Sequence, residues 1–344
     1  ETAIHPPPMA ATPPVSVAES TVLPQAKPAG QAADATVAGL APARQLVEHL
    51  KPGLLVGGFR LLRRIGVGGM GVVFRVRPET GGPEMAMKFL VASGSAAKHA
   101  ERFSAEAELI RHLDHNGIVK VHQVGHDGQH AWLVMDLFLG PHDLPVNLGD
   151  YARDFGAGTG VLDPADARDI FMALLDALAY AHAGGVIHCD LKPANILLHC
   201  VGQREAYWQA YLKLTDFGLA RLIGESQVHE SVTQSLHRAG QGGTLTEDVR
   251  ALLGTWDYMS PEQRRGEPAT PLSDLYAIGL MLYRLLTGRQ EPALRRPSDL
   301  RPGLDPAWDT LLLRALREQP ERRFPDAITM AAALDAIPTP PISD

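Results

Sequence analysis

The sequence predicts an α+β chain of two lobes, a small β-rich one over 54–136 with one main helix and a larger, mostly helical one over 137–337. Three observations lead there. From about Leu54 the chain runs in short alternating apolar and polar stretches broken by Gly and Pro, the period of half-buried strands. One segment in that half, ERFSAEAELIRHL, repeats its apolar residues at helical spacing instead. After Gly140 the pattern switches to long helical runs with identifiable start and stop residues.

Residues 1–42 are dominated by Ala, Pro, Ser and Thr, as in HPPPMAATPP. They carry too few large apolar side chains to offset the entropy of ordering, so a flexible tail is expected. In the 43–53 linker, ARQLVEHL precedes the breaker KPG and reads as a short helix with Leu46, Val47 and Leu50 on one side. FRLLRRIGVG, GVVFRVRPE and MAMKFLV then form an antiparallel meander. In the helix that follows, Phe103, Ile110 and Leu113 share a face, and Glu106 lies on it, whereas Glu108 keeps company with Ser104, Arg111 and His112. A carboxylate on a buried face demands a cationic partner from elsewhere. GIVKVHQVG and AWLVMDLF complete the β-rich half.

In the second half, DPADARDIFMALLDALAYAHAGG has Asp163 as N-cap, Pro164 at the first helical position, a stripe through Ile170, Leu174 and Leu178, and a glycine stop. SDLYAIGLMLYRLLTG is apolar nearly all round, as a helix buried in a helical core must be, and ends at Gly288. Helices around PAWDTLLLRAL and FPDAITMAAALDAI close the unit near Ile337, leaving 338–344 as a short tail.

A formal charge of -7 gives no general electrostatic case for nucleic acid or an anionic membrane surface. The two cysteines, Cys189 and Cys200, cannot build a disulfide framework or a four-ligand zinc site, so a reducing, cytoplasmic setting is expected. Even LYAIGLMLYRLL is too short for a membrane span and carries Arg284, so a soluble chain is expected. The first residue is Glu1 rather than methionine, as expected of a processed form or an excised fragment.

Three constellations carry chemistry. In IGVGGMGVVF, Gly66, Gly68, Gly69 and Gly71 make a bare turn able to lie on phosphates through backbone amides. A dinucleotide fingerprint would enter a helix after such a loop, but here VVFRV continues as a strand. Lys88 on the next strand is the cation suited both to a phosphate and to the inward Glu106. The second constellation is His188, Asp190, Lys192 and Asn195 in HCDLKPAN. There Asp190 can accept a proton from a hydroxyl, Lys192 can steady a phosphoryl group, and Asn195 can offer an oxygen to Mg²⁺. The third is Asp216 of TDFG, a hard carboxylate for the same metal.

Taken in order, these motifs resemble the protein kinases, and within them the bacterial Hanks-type serine/threonine group. The likeness covers about 57–337 and adds GTWDYMSPE, the aspartate of SDLYAIG and the arginine of QPERRF. It implies a bilobal kinase fold in which Ile65, Gly66, Val67, Gly68, Gly69, Met70 and Gly71 cover ATP. Val73, Ala86 and Leu197 would sandwich adenine, with Asp136 and Phe138 reading its edge behind Met135 as gatekeeper. It also implies that Lys88, held by Glu106, binds the α and β phosphates, that Asp190 is the base, and that Asn195 and Asp216 hold Mg²⁺. Structural roles would fall to His188, to Glu262 paired with Arg323, and to Asp274 anchoring the loop backbone. Lys192 and Thr255 point to Ser or Thr acceptors on proteins, with Thr233, Thr244 and Thr246 as activation-segment sites and a homodimer as one route to autophosphorylation.

Several positions depart from the family pattern. Cys189 replaces its arginine, and Ser260 replaces the alanine that opens the SPE motif. HCVGQREAYWQAYLKL lengthens one hairpin, and GESQVHESVTQSLHRAGQGG lengthens the stretch between Asp216 and Glu262. Two alternatives stand beside an active kinase. One is a pseudokinase that holds nucleotide or a partner without turnover. The other is a small-molecule phosphotransferase, which would have no need of GTWDYMSPEQ to receive a peptide.

Overall fold

The structure, a computed structural model, describes residues 49–68, 71–90, 107–126, 131–140, 143–155, 160–198, 212–217, 256–290 and 295–338. The 1–42 tail, Gly69, Met70, Phe103, Glu106, Thr233, Thr244, Thr246 and Thr255 lie outside the described residues, as do 199–211 and 224–243 of the two insertions and 339–344.

Alternating sequence becomes one six-stranded sheet. Its strands are β1 (Leu55–Val56), β2 (Phe59–Gly68), β3 (Gly71–Pro78), β4 (Met85–Leu90), β5 (Val121–His126) and β6 (Ala131–Met135), in the order β1-β2-β3-β4-β6-β5 with every pairing antiparallel. Gly71 opens β3 at φ 151, where a Cβ would lie 1.9 Å from the Phe89 carbonyl oxygen, so only glycine fits this tight return. The strand period sorts side chains by face. Leu61, Phe74, Met87, Phe89, Trp132 and Val134 close a small core on one side. Ala86, Leu90, Leu133 and Met135 join the main core on the other, where helix α1, described over 107–112, buries Ala107 and Ile110. Lys88 falls on this second face, between Ala86 and Leu90.

The larger lobe follows its caps. Asp163 accepts a hydrogen bond from the Ala165 N–H (2.9 Å), and α3 (Pro164–Ala183) buries Ile170, Leu174 and Leu178 as the stripe requires. Truncating fully buried Leu174 to alanine is expected to cost about 3 kcal/mol in lost packing. Further along, α5 (Pro271–Thr287) is buried almost all round and ends where Gly288, at φ 68, returns its N–H to the Arg284 carbonyl (2.8 Å). Around these two pack α2 (Leu148–Phe155), α4 (Pro261–Arg264), α6 (Pro297–Leu300), α7 (Ala307–Ala315) and α8 (Ala327–Asp335).

A second, three-stranded sheet sets the position of the chemistry. Strands β7 (Val146–Asn147), β8 (Ile196–Leu198) and β9 (Leu212–Leu214) pair antiparallel, so the loop entering β8 and the turn leaving β9 emerge side by side. The Val119 N–H donates to the Leu214 carbonyl, and the Leu214 N–H to the Gly117 carbonyl, both at 2.8 Å. These bonds tie the segment before β5 to the same turn.

Candidate active site

His188, Asp190, Lys192 and Asn195 lie on the loop between α3 and β8, with His188, Asp190 and Asn195 buried. Lys192 Nζ pairs with Asp190 Oδ2 at 2.8 Å. Asn195 Nδ2 donates to the Asp190 backbone carbonyl (2.8 Å) and to its Oδ2 (3.0 Å), which fixes the carboxylate's orientation. Across the hairpin, Asp216 sits at φ 67, in the left-handed region that aspartate enters more readily than most residues with a Cβ. Its Oδ2 lies 2.6 Å from Lys88 Nζ, reaching from β4. The described partner of Lys88 is therefore Asp216; Glu106, the partner inferred from sequence, lies outside the described residues.

His188 is fully buried, and burial holds its pKa below the ordinary value although Asp274, Asp190 and Asp216 oppose that shift. Its Nε2 faces the Thr215 carbonyl at 2.9 Å, so Nε2 carries the proton and Nδ1 accepts from the Asp190 N–H (3.3 Å). The ring stacks at a tilt on Phe217, with centroids 4.6 Å apart. The neutral imidazole thus joins the loop before β8 to the turn after β9.

Asp274, in the first turn of α5, is 1% exposed and accepts from the His188 N–H (2.8 Å), the Cys189 N–H (3.0 Å) and His182 Nε2 (2.9 Å). Farther from the cleft, Arg323 grips Glu262 with two bonds of 2.7 Å, and Ser273 Oγ adds a third at 2.8 Å. Burial alone raises the Glu262 pKa, but the Arg323 bonds, its own backbone N–H and Ser273 outweigh it and bring the carboxyl to about 2. Arg323 also donates to the Leu272, Arg317 and Glu318 carbonyls, which leaves this buried pair well satisfied.

On the roof of the cleft, Val73 pairs in register with Lys88, and Ala86 with Met135. Gly66 pairs with Val73, Gly68 with Gly71, and Ile65 and Val67 belong to the same β2 segment. Leu197 of β8 and Val73 are partly buried against the main core, to which Ala86 also belongs. The Asp136 N–H donates to the Lys120 carbonyl (3.0 Å), and Phe138 follows on the connection between lobes.

Three contributors were not anticipated from sequence. Thr215 supplies the carbonyl that sets the His188 tautomer, His182 shares Asp274, and Gln263 donates to the Cys189 carbonyl. His182 had only its place in the last turn of α3 as a signal.

The sequence matches the family model for the protein kinase domain over residues 59–299. The chain belongs to the protein kinase family. Its relatives are bacterial serine/threonine kinases of the Hanks type. PknL of Mycobacterium bovis is 30% identical over 306 residues, covering 84% of this chain and 68% of that protein. PknJ of Mycobacterium tuberculosis is 33% identical over 309 residues, and a probable serine/threonine-protein kinase of Streptomyces coelicolor is 30% identical over 309. This kinase chain spans 47% and 41% of those two proteins. The crystal structure of the PknI kinase domain of Mycobacterium tuberculosis superposes with a TM-score of 0.60 at 25% identity, covering 83% of this chain and 98% of that one. The bilobal kinase fold expected from the sequence is therefore the fold observed. No described helix is long and apolar enough to cross a membrane.

Proposed function

We propose that the chain is a serine/threonine protein kinase that transfers the γ-phosphoryl group of ATP to Ser or Thr hydroxyls of proteins, itself included, with 54–337 as the catalytic unit. One observation carries the reading. Asp190, Lys192 and Asn195 are locked together on one side of the β8–β9 hairpin, and Asp216 with Lys88 on the other.

In this reading Ile65, Gly66, Val67, Gly68, Gly69, Met70 and Gly71 close over ATP, and Val73, Ala86 and Leu197 hold adenine. The Asp136 N–H is already engaged by Lys120, so its carbonyl and Phe138 read the base edge beside Met135. Lys88, with Glu106 as a second partner, binds the phosphates. Asp190 accepts the acceptor hydroxyl's proton, and Lys192 stabilises the charge on the phosphoryl group in flight.

The donor set suits a hard cation such as Mg²⁺, which would neutralise phosphate charge. Asn195 is 5% exposed and spends its Nδ2 on Asp190, while its Oδ1 accepts no hydrogen bond from the described residues. Asp216 commits Oδ2 to Lys88, and its Oδ1 accepts no hydrogen bond from the described residues. An amide oxygen and a carboxylate oxygen from the two sides of one hairpin would hold the ion, with the remaining positions left to phosphate and water.

Thr233, Thr244, Thr246 and Thr255 belong to the segment that would receive a peptide and be phosphorylated, between two copies of the chain or within one. A cytoplasmic site accords with a chain of only two cysteines, and the charge of -7 gives no support to a nucleic-acid partner. The pseudokinase alternative has no feature of the described residues in its favour. The reading is tested by phosphoamino-acid analysis of a generic basic protein after incubation with labelled ATP and Mg²⁺. Label on serine or threonine supports it, and label on free aminoglycosides alone overturns it.

A further inference from the structure

Cys189 adopts φ 67, a conformation that strains any residue with a Cβ, and it immediately precedes the proposed base. Strain of this kind persists only where the surroundings over-determine it. Here both of the residue's peptide groups are held by side chains from different helices. Its N–H donates to Asp274 Oδ1 of α5 (3.0 Å), and its carbonyl accepts from Gln263 Nε2 of α4 (3.0 Å). The following N–H, of Asp190, is taken by His188 Nδ1. The peptide plane between Cys189 and Asp190 is therefore pinned at its oxygen and at its nitrogen.

Gln263 can do this because its other end is fixed. Ser260 is the N-cap of α4, and Gln263 stands three residues on, completing a capping box. Gln263 Oε1 accepts from the Ser260 N–H (3.1 Å) and from Ser260 Oγ (3.0 Å), while Ser260 Oγ in turn accepts from the Gln263 N–H. These bonds assign the oxygen of the side-chain amide to the cap and point its NH₂ at the loop. A glutamate would close the same box but present an oxygen, not a donor, to the Cys189 carbonyl. The serine that departs from the family's alanine at 260 thus has a use: it orients the amide.

We propose that Gln263 is a positioning residue for the phosphoryl-transfer step, holding Cys189 in its left-handed conformation and so aiming the Asp190 carboxylate. The proposal rests on the kinase reading above, and it makes α4, which follows directly on the peptide-receiving segment, a mechanical support of the base.

The test is a double-mutant cycle between positions 263 and 189, read as kcat and as KM for ATP. Gln263→Glu keeps the cap and loses the donor, and Gln263→Met loses the donor without adding charge beside Asp190. Each is expected to lower kcat about tenfold with KM for ATP within about twofold. In a Cys189→Gly background, where φ 67 carries no Cβ strain, the same substitutions are expected to lower kcat less than about threefold. Equal losses in both backgrounds, or wild-type kcat in both Gln263 variants, overturn the proposal. A loss that appears only in KM for ATP overturns it as well. Should Gln263→Glu not fold, the Gln263→Met cycle decides by the same criteria. Absence of phosphate transfer by the wild-type chain is a different failure, that of the kinase reading itself.

Discussion

Lys88 Nζ and Asp216 Oδ2 lie 2.6 Å apart, joining the middle strand of the small lobe to the turn after β9. The contact is largely buried, with side-chain exposures of 8% and 15%, so neither charge is screened as a surface pair would be. Lys88→Met thus removes the proposed phosphate ligand and leaves Asp216 without its described cation. Lys88→Met and Asp216→Asn are each expected to lower phosphate incorporation to near background. Asp190→Asn acts on the proposed base, a group that would be used mainly in the transition state, and is expected to lower kcat while changing ATP affinity less than Lys88→Met does. Steady-state kinetics with varied ATP check the ordering.

Glu262 and Arg323 give a prediction in pH. The carboxyl sits at about 2 in the folded chain against an ordinary 4.5, so its stabilising contribution is complete above the unfolded value. It is lost as pH falls through 4.5 toward 2. The thermal midpoint of the wild type is expected to fall more steeply over that window than the midpoint of Glu262→Gln. At neutral pH, Arg323→Leu strands a buried carboxylate and is expected to destabilise the chain by about 3 to 5 kcal/mol. Melting followed by circular dichroism reads both.

What was legible in the sequence follows how local each signal is. Helix α3 begins at Pro164 and ends at Ala183 because Asp163, Pro164 and Gly184 act through neighbouring residues. Likewise β2 and β3 follow the alternation of FRLLRRIGVG and GVVFRVRP. Short β1 and β7 and the eight-residue α2 went unread: LGDYARDF does carry Leu148, Tyr151, Ala152 and Phe155 at helical spacing, but over only about two turns. In the site, Asp274 and the Glu262–Arg323 pair were reachable through resemblance alone, because sequence spacing says nothing of a contact 86 or 61 residues away. Gln263 was quoted within a motif without a role. Its reach of 74 residues back to Cys189 is a product of tertiary packing.

Cys189 bears on how the proposed kinase activity would be controlled. The residue is 6% exposed and packs with Ala269 and Ile187, and a thiol offers no fixed positive charge to grip a phosphate on the activation segment. Thr233, Thr244 and Thr246 changed together to alanine are expected to lower activity by less than about tenfold, roughly 1.4 kcal/mol of barrier. Asp190→Asn is expected to cost far more. If the triple variant, or phosphatase treatment, silences the chain as completely as Asp190→Asn, another cation grips that phosphate and this account of Cys189 is wrong.

Deleting residues 1–42 is expected to leave the melting temperature within a few degrees and the activity largely intact, because the segment brings little apolar surface to bury. A calorimetric scan of the truncated chain beside the full one checks this, and a fall of many degrees contradicts it.

The most direct measurement is intact-mass and phosphosite analysis of the purified chain after incubation with Mg²⁺ and ATP, beside an Asp216→Asn control. The account predicts added phosphates on serine or threonine in the wild type and none above background in the control. Equal phosphate in the two, or none in the wild type with a basic protein substrate also unlabelled, would contradict it.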